Sequence, residues 1–266
     1  MKRRSMSNTP FARALLATSG ALAFLLGSIS VSGCDPSASA FDLPPSAYVA
    51  VMNASAPVDL VWANSFCSGV LVGADLVVTA SHCVRDGALP DVQVGARNLC
   101  DTPIPGERLS VVSKYIGTGV ARELTLLRLS SEAQAAPTAI AAGTEDPGVV
   151  VATGWGRRTA DSGRVCEAKQ LSLRAAPSAD CAPAMVGALN EGVEPESWTC
   201  LVVNSGALNT CIGDSGGGVF LQEPGGDSRL WAITLGGGGC EARDPGVYAD
   251  SDAIVALLNQ AQVDAQ

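Results

Sequence analysis

The 266-residue sequence contains one histidine, His82, so any imidazole-dependent chemistry must use it. It contains no Cys-x-x-Cys pair, and with a single histidine this argues against a metal site. Basic charge is scarce outside the amino-terminal leader. Four of the 17 Lys and Arg residues fall in the first 33 positions, where no acid occurs; the remaining 13 face 26 acids, leaving −13 beyond the leader. Such a surface repels phosphate backbones and anionic lipid headgroups, which argues against a nucleic-acid partner. Long helical patterns are also nearly absent. Only Asp252–Gln260 groups its apolar residues (Ile254, Val255, Leu257, Leu258) by helical period, with Asp252 a candidate N-cap.

What the chain does have is turns and short apolar runs. Hydrophobic residues make up 47% and charged ones 16%, which describes a globular protein with a substantial core. Twenty-nine glycines and fifteen prolines punctuate runs that are too short for helices. Strands are expected within Val58–Ala63, Gly69–Val72, Leu76–Thr79, Val92–Gly95, Leu109–Tyr115 and Leu124–Leu129. After an Ala/Pro/Thr-rich break at Ser130–Ala142, they resume at Val149–Ala152, Lys169–Leu173, Val219–Leu221, Trp231–Leu235 and Gly246–Ala249. Short strands at this spacing predict an all-β protein of sandwich or barrel type. The break divides the chain into two similar halves that share no sequence repeat.

Residues 1–33 have the parts of an export signal: Lys2, Arg3 and Arg4, then an apolar run from Ala14 to Val31. The run ends in Val31-Ser32-Gly33-Cys34, which resembles a bacterial lipobox with Cys34 the lipidated residue. A rival cut at Ala38-Ser39-Ala40 would release a soluble protein. Residues 34–47, rich in Ser, Ala and Pro, read as a tether. Setting Cys34 aside leaves Cys67, Cys83, Cys100, Cys166, Cys181, Cys200, Cys211 and Cys240, an even set suited to disulfides in an oxidising compartment.

Three local patterns carry chemistry. Thr79-Ala80-Ser81-His82-Cys83 ends an apolar strand, Glu123-Leu124-Thr125-Leu126-Leu127 opens another, and Gly213-Asp214-Ser215-Gly216-Gly217 lies between glycine-rich runs. A serine hydroxyl is a weak nucleophile until a base accepts its proton, and imidazole is suited to that task. Together and in this order, the three patterns resemble the trypsin/chymotrypsin family of serine peptidases, over roughly Val58 to Leu258.

The resemblance implies two antiparallel Greek-key β-barrels with a short C-terminal helix and the site in the cleft between them. Residues 48–142 would form the first barrel, with His82 and Glu123, and 143–266 the second, with Ser215. It implies an acyl-transfer peptidase in which Ser215 attacks, His82 is the base and Glu123 orients it. The N–H groups of Gly213 and Ser215 would form the oxyanion hole. Asn209 would be the floor of the substrate pocket, with Gly237 and Gly246 its walls, and a neutral floor favours large neutral residues over Arg or Lys. Cys67–Cys83, Cys211–Cys240 and Cys181–Cys200 match family bridges; Cys100 and Cys166 remain and pair by elimination. No cofactor is implied. The partner is a protein or peptide substrate, the chain a monomer, and a membrane is met only through lipid on Cys34.

The chain departs from the family at four places. Glu123 stands where the family has Asp, and no Asp lies between Asp101 and Asp146. Leu235 replaces a serine that touches the acid, and Gly236 a tryptophan beside it. In the family, an amino terminus freed by cleavage after Arg or Lys pairs with the residue matching Asp214. Here no Arg or Lys occurs between Asp35 and Val84, and the nearest imitation of that terminus is Val51-Met52-Asn53-Ala54. These departures leave a second class open, a catalytically silent binding or scaffold relative, and an esterase on the same scaffold would share the mechanism.

Overall fold

Runs rich in Val, Leu and Ile, four to ten residues long, form the strands of the computed structural model. The structure describes residues 41–57, 60–84, 87–142, 147–176, 198–222, 227–237, 239–242 and 244–264. The first six strands are β1 (Val49–Met52), β2 (Ser65–Gly73), β3 (Leu76–Ala80), β4 (Asp91–Val94), β5 (Glu107–Ile116) and β6 (Leu124–Leu129). The second six are β7 (Val149–Gly154), β8 (Lys169–Ala175), β9 (Trp198–Val203), β10 (Gly218–Gln222), β11 (Ser228–Gly237) and β12 (Gly246–Asp250).

Each set closes into an antiparallel barrel, in the order β1-β2-β3-β6-β5-β4 and again β10-β11-β12-β9-β8-β7. Adding six to each strand number of the first barrel reproduces the pairings of the second. The two halves therefore share one topology without sharing a sequence repeat. This is the expected double barrel. Register shifts at Leu71/Gly73, Val111/Ser113, Val219/Phe220 and Thr234/Gly236 bend strands enough to close each barrel.

Closure explains why the strands read as continuous apolar runs. One face of each fills its own barrel: Val49, Val51, Leu71, Val77, Val92 and Leu127 in the first, and Val150, Leu173, Leu201, Val219, Ala232 and Tyr248 in the second. The other face of several strands builds a third core shared by both barrels. Met52, Val70, Val78, Leu124, Val151, Phe220, Ile233 and Leu235 meet there, with Ile254 and Leu257 of the C-terminal helix. Each such side chain contributes roughly 1.5–3 kcal/mol by leaving water. Tyr48 meets Trp155 edge-on at 6.4 Å in the same region.

Several expectations need correction. Val61–Asn64 is a single helical turn, not a strand; it ends as Ser65 begins β2. β1 and β9 were not expected from the apolar runs. The C-terminal helix spans Ser251–Val263 and its N-cap is Asp250, whose carboxylate accepts the Ala253 N–H at 3.1 Å, not Asp252. Residues 41–47, expected within a tether, are packed. Leu43, Ser46 and Ala47 are buried, Ser46 Oγ lies 2.6 Å from Thr138 Oγ1, and the Phe41 carbonyl accepts from Gln170. Val51 and Met52 are fully buried in β1, opposite Cys67 and Ser65, so Val51-Met52-Asn53-Ala54 imitates no chain terminus.

Three expected disulfides are present: Cys67–Cys83, Cys100–Cys166 and Cys211–Cys240. Cys100–Cys166 joins the loop after β4 to the loop before β8, at a Cα separation of 5.3 Å, and so ties the halves together. Cys200 is buried in β9, while Cys181 lies outside the described residues, as do Cys34 and the leader. No helix among the described residues is long and apolar enough to cross a membrane.

Candidate functional site

His82 enters the site from the first barrel. Buried β3 ends in one 3₁₀ turn, Ser81–Cys83, which leaves the imidazole exposed. That turn is laced to the start of β6. The Ser81 N–H donates to the Glu123 carbonyl at 2.8 Å, and the Ser81 hydroxyl lies 3.1 Å from the Arg122 carbonyl and 3.0 Å from Thr125 Oγ1. The Cys67–Cys83 disulfide fastens its other side to β2. One imidazole nitrogen lies within 4.8 Å of both sulfurs, but a disulfide offers no thiolate to a metal. Glu123 is mostly buried, with 12% of its side chain exposed, and Arg122 Nε lies 3.6 Å from its carboxylate.

Ser215 comes from the second barrel, on the loop between Cys211 and β10. Hydrogen bonds define that loop's shape. The Asp214 N–H donates to the Cys211 carbonyl at 2.9 Å, Gly216 N–H to the Thr234 carbonyl at 2.8 Å and Gly217 N–H to the Asp214 carbonyl at 2.9 Å. The N–H groups of Gly213 and Ser215 donate to no acceptor among the described residues. Gly213 has φ +96° and Gly216 φ +81°, left-handed conformations that suit glycine. The Ser215 hydroxyl donates a long bond, 3.4 Å, to the Leu235 carbonyl. Leu235 is the extra residue of the bulge in β11, opposite Tyr248 and Val247 of β12.

Asp214 lies beneath Ser215 and is 1% exposed. Gly156 N–H and Cys211 N–H each donate to its carboxylate at 2.8 Å, and Lys169 Nζ lies 2.5 Å from Oδ2. Arg164 fixes the loop's other flank by donating to the Ser65 and Phe66 carbonyls. Its half-burial lowers the guanidinium pKa by desolvation, which the Asp214 charge partly offsets.

His82 and Ser215 line one cleft of about 500 Å³, with Phe66, Cys67, Ala160, Thr210, Cys211, Ile212, Gly213, Thr234, Gly236, Gly237, Gly239 and Cys240. No Asp, Glu, Lys or Arg is among these residues. Gly237 is among the lining residues; Gly246, the other expected wall, and Asn209, the expected floor, are not. Asn209 is fully buried; its amide donates to the Asp244 carbonyl and accepts from Thr210 N–H at 2.7 Å. Gly246 instead makes room for Tyr248, whose hydroxyl a Cβ there would overlap. That hydroxyl pairs with Thr210 Oγ1 at 2.8 Å, and burial raises its pKa. Thr234 also went unrecognised in the sequence. It lines the cleft at 1% exposure, and its hydroxyl has no hydrogen-bond partner among the described residues.

Residues 45–258 match the trypsin family, which covers both barrels and most of the C-terminal helix. The chain belongs to the trypsin family. Among curated relatives it is 32% identical over 200 residues to mouse serine protease 56, covering 68% of this chain but 32% of that protein. It is 27% identical over 209 residues to the trypsin of Saccharopolyspora erythraea, covering 73% of this chain and 86% of that one. The chain thus spans about a third of the length of the mouse and human serine proteases 56 that it matches. Among solved structures, neuropsin, a serine protease expressed in the limbic system of mouse brain, superposes with a TM-score of 0.63 at 21% identity. That match covers 83% of this chain and 97% of neuropsin, and it speaks to the fold.

Proposed function

We propose that the protein is an exported serine endopeptidase that cleaves peptide bonds through Ser215, His82 and Glu123. The observation that carries this reading is the shared cleft: the only imidazole of the chain, from the first barrel, and Ser215, from the second, line one cavity. Ser215 Oγ attacks the peptide carbonyl while His82 takes its proton; His82 then protonates the leaving amine, and water releases the acyl-enzyme. The carbonyl oxygen gains negative charge in the tetrahedral intermediate. The N–H groups of Gly213 and Ser215, which donate to no acceptor among the described residues, are suited to receive it. Glu123 is the acid that orients the imidazole, because its backbone is bonded to the residue preceding His82 and its side chain is largely buried.

Three disulfides support export to an oxidising compartment. Lipidation at Cys34 in a bacterial envelope follows from the lipobox-like sequence, with release after Ala40 as the rival route. Cys34→Ala separates the two: loss of membrane association supports lipidation, and unchanged processing supports release.

The test of the chemistry is a fluorophosphonate. It should label Ser215 in the wild type, with the adduct mapped by peptide mass, and label neither His82→Ala nor Ser215→Ala. Labelling that persists in His82→Ala would remove His82 as the base, and a wild type that never labels would favour a silent scaffold.

A further inference from the structure

Lys169 occupies a position where the strand pattern calls for an apolar side chain. The inward residues of β8 are Lys169, Leu171 and Leu173, and Lys169 is only 6% exposed. A buried ammonium is costly unless paired and hydrogen-bonded. Here it has both. Its Nζ lies 2.5 Å from Asp214 Oδ2 and donates to the Arg157 carbonyl at 2.7 Å. Gly154 and Gly156 make the space, since a Cβ on either would overlap the Asp214 carboxyl group.

The consequence runs through Asp214. Its carboxylate ties Gly156 and Cys211 to Lys169, and its backbone N–H and carbonyl close the turn from Cys211 to Gly217. That turn is what leaves the Gly213 and Ser215 N–H groups with no acceptor among the described residues. Without a cation, a carboxylate at 1% exposure would be driven towards water, and the turn would open with it. Among the described residues the cation on Asp214 is Lys169, not a chain terminus. Val51 and Met52 are locked inside β1, and no Arg or Lys precedes them after Asp35. We infer that Lys169 is a positioning residue that holds the Ser215 loop in its donor-exposing shape from within the continuous chain, so that competence requires no newly cut amino terminus.

This rests on the serine peptidase reading, and one experiment separates the two. The full chain is purified, its amino terminus and intact mass are determined, and Ser215 is titrated with a fluorophosphonate. Molecules uncut between Phe41 and Ser215 should titrate to near one site each. Lys169→Met should then lower the labelling rate by about 10²-fold or more, the order expected when oxyanion donors are lost. Lys169→Arg should recover part of that loss. Lys169→Ala should be rescued in a saturable way by n-propylammonium, and less by the isosteric but neutral 1-propanol, a difference that a merely volumetric role would not produce. Near-wild-type labelling of Lys169→Met, or wild-type labelling that appears only after cleavage downstream of Phe41, would overturn the role of Lys169 alone. A wild type that labels in neither form would overturn the peptidase reading and this inference together. Should Lys169→Met fail to fold, the amine dependence of Lys169→Ala decides: rescue supports the inference, and a folded but amine-insensitive inactive variant overturns it.

Discussion

The backbone N–H of Ser68, in the first barrel, donates to the carbonyl oxygen of Ser215, in the second, at 2.8 Å. The Ser68 carbonyl in turn accepts from the Thr79 hydroxyl at 2.7 Å, one strand before His82. The two candidate catalytic side chains are thus registered by a short backbone seam as well as by the core beneath them. Geometry at this seam sets how far the Ser215 hydroxyl sits from the imidazole, and an ångström there is worth a large factor in rate.

Gly216 is the tightest point of that seam. Its φ is +81°, and a Cβ there would overlap both the Ser68 carbonyl oxygen and Thr79 Oγ1. Gly216→Ala should therefore cost about 3 kcal/mol or more, from overpacking on a left-handed backbone, and abolish labelling of Ser215. Gly236→Ala is the control, since nothing lies within 4 Å of its added Cβ; it should change stability by about 1 kcal/mol or less. Thermal unfolding of both variants checks this.

Substrate choice follows from the cleft lining. Asn209 uses its amide on Asp244 and Thr210, and no carboxylate is among the lining residues. Peptides with a large neutral residue before the scissile bond should be preferred over Arg or Lys by about tenfold or more in kcat/KM, as pocket contacts commonly allow. A positional-scanning peptide library measures it, and a preference for Arg would place an acid in the pocket that the geometry does not.

The C-terminal helix is capped by Asp250. Asp250→Ala should cost about 1 kcal/mol, and Asp252→Ala only a few tenths. Burial raises the Asp250 pKa above its ordinary 3.8, so folding favours its protonated form. That contribution is present below the unfolded value and is lost as pH rises through the raised one. Asp250→Asn keeps the acceptor without the titration, so its stability relative to wild type should improve across that rise. Urea midpoints on either side of it test the sign.

Much of this architecture was readable in the residues, and the exceptions have physical causes. Ten of the apolar runs became strands, because each barrel buries one strand face and the core shared by the barrels buries the other face of several. Val49–Met52 was hidden by the Pro- and Ser-rich residues before it, although all four are buried. Cys100–Cys166 followed by elimination once the family resemblance had paired the other cysteines, but the shared barrel topology left no sequence repeat, because the halves fill the same pattern with different side chains. In the site, motif order located His82 and Ser215. Position relative to Ser215 marked Asn209 but does not reveal that its amide turns towards Asp244. Lys169 did leave a signal: its parity with Leu171 and Leu173 puts a cation on a buried face, which calls for a buried acid.

Glu123 and Leu235 are the positions at which the proposed acid is best tested. Removing the charge with Glu123→Gln should greatly lower turnover and leave the fold intact, since the backbone bond from Ser81 to Glu123 is unaffected. The corresponding Asp→Asn change in a serine peptidase triad costs about 10⁴-fold in kcat, because the imidazole takes the wrong tautomer. A smaller loss is expected here, because a longer carboxylate holds the ring with more freedom. Glu123→Asp is the sharper test. Leu235 is 3% exposed in the core shared by the barrels and brings no hydroxyl to brace a shorter acid. Glu123→Asp alone should therefore restore nothing and lose activity. Adding Leu235→Ser should recover more than the two single changes predict, since residues sharing one site couple by 0.5 to about 3 kcal/mol. The measurement is kcat and KM for all four proteins, with kcat carrying the coupling if Glu123 acts through His82. Strict additivity would make the two substitutions independent, and equal activity in Glu123→Gln and wild type would remove Glu123 from the site.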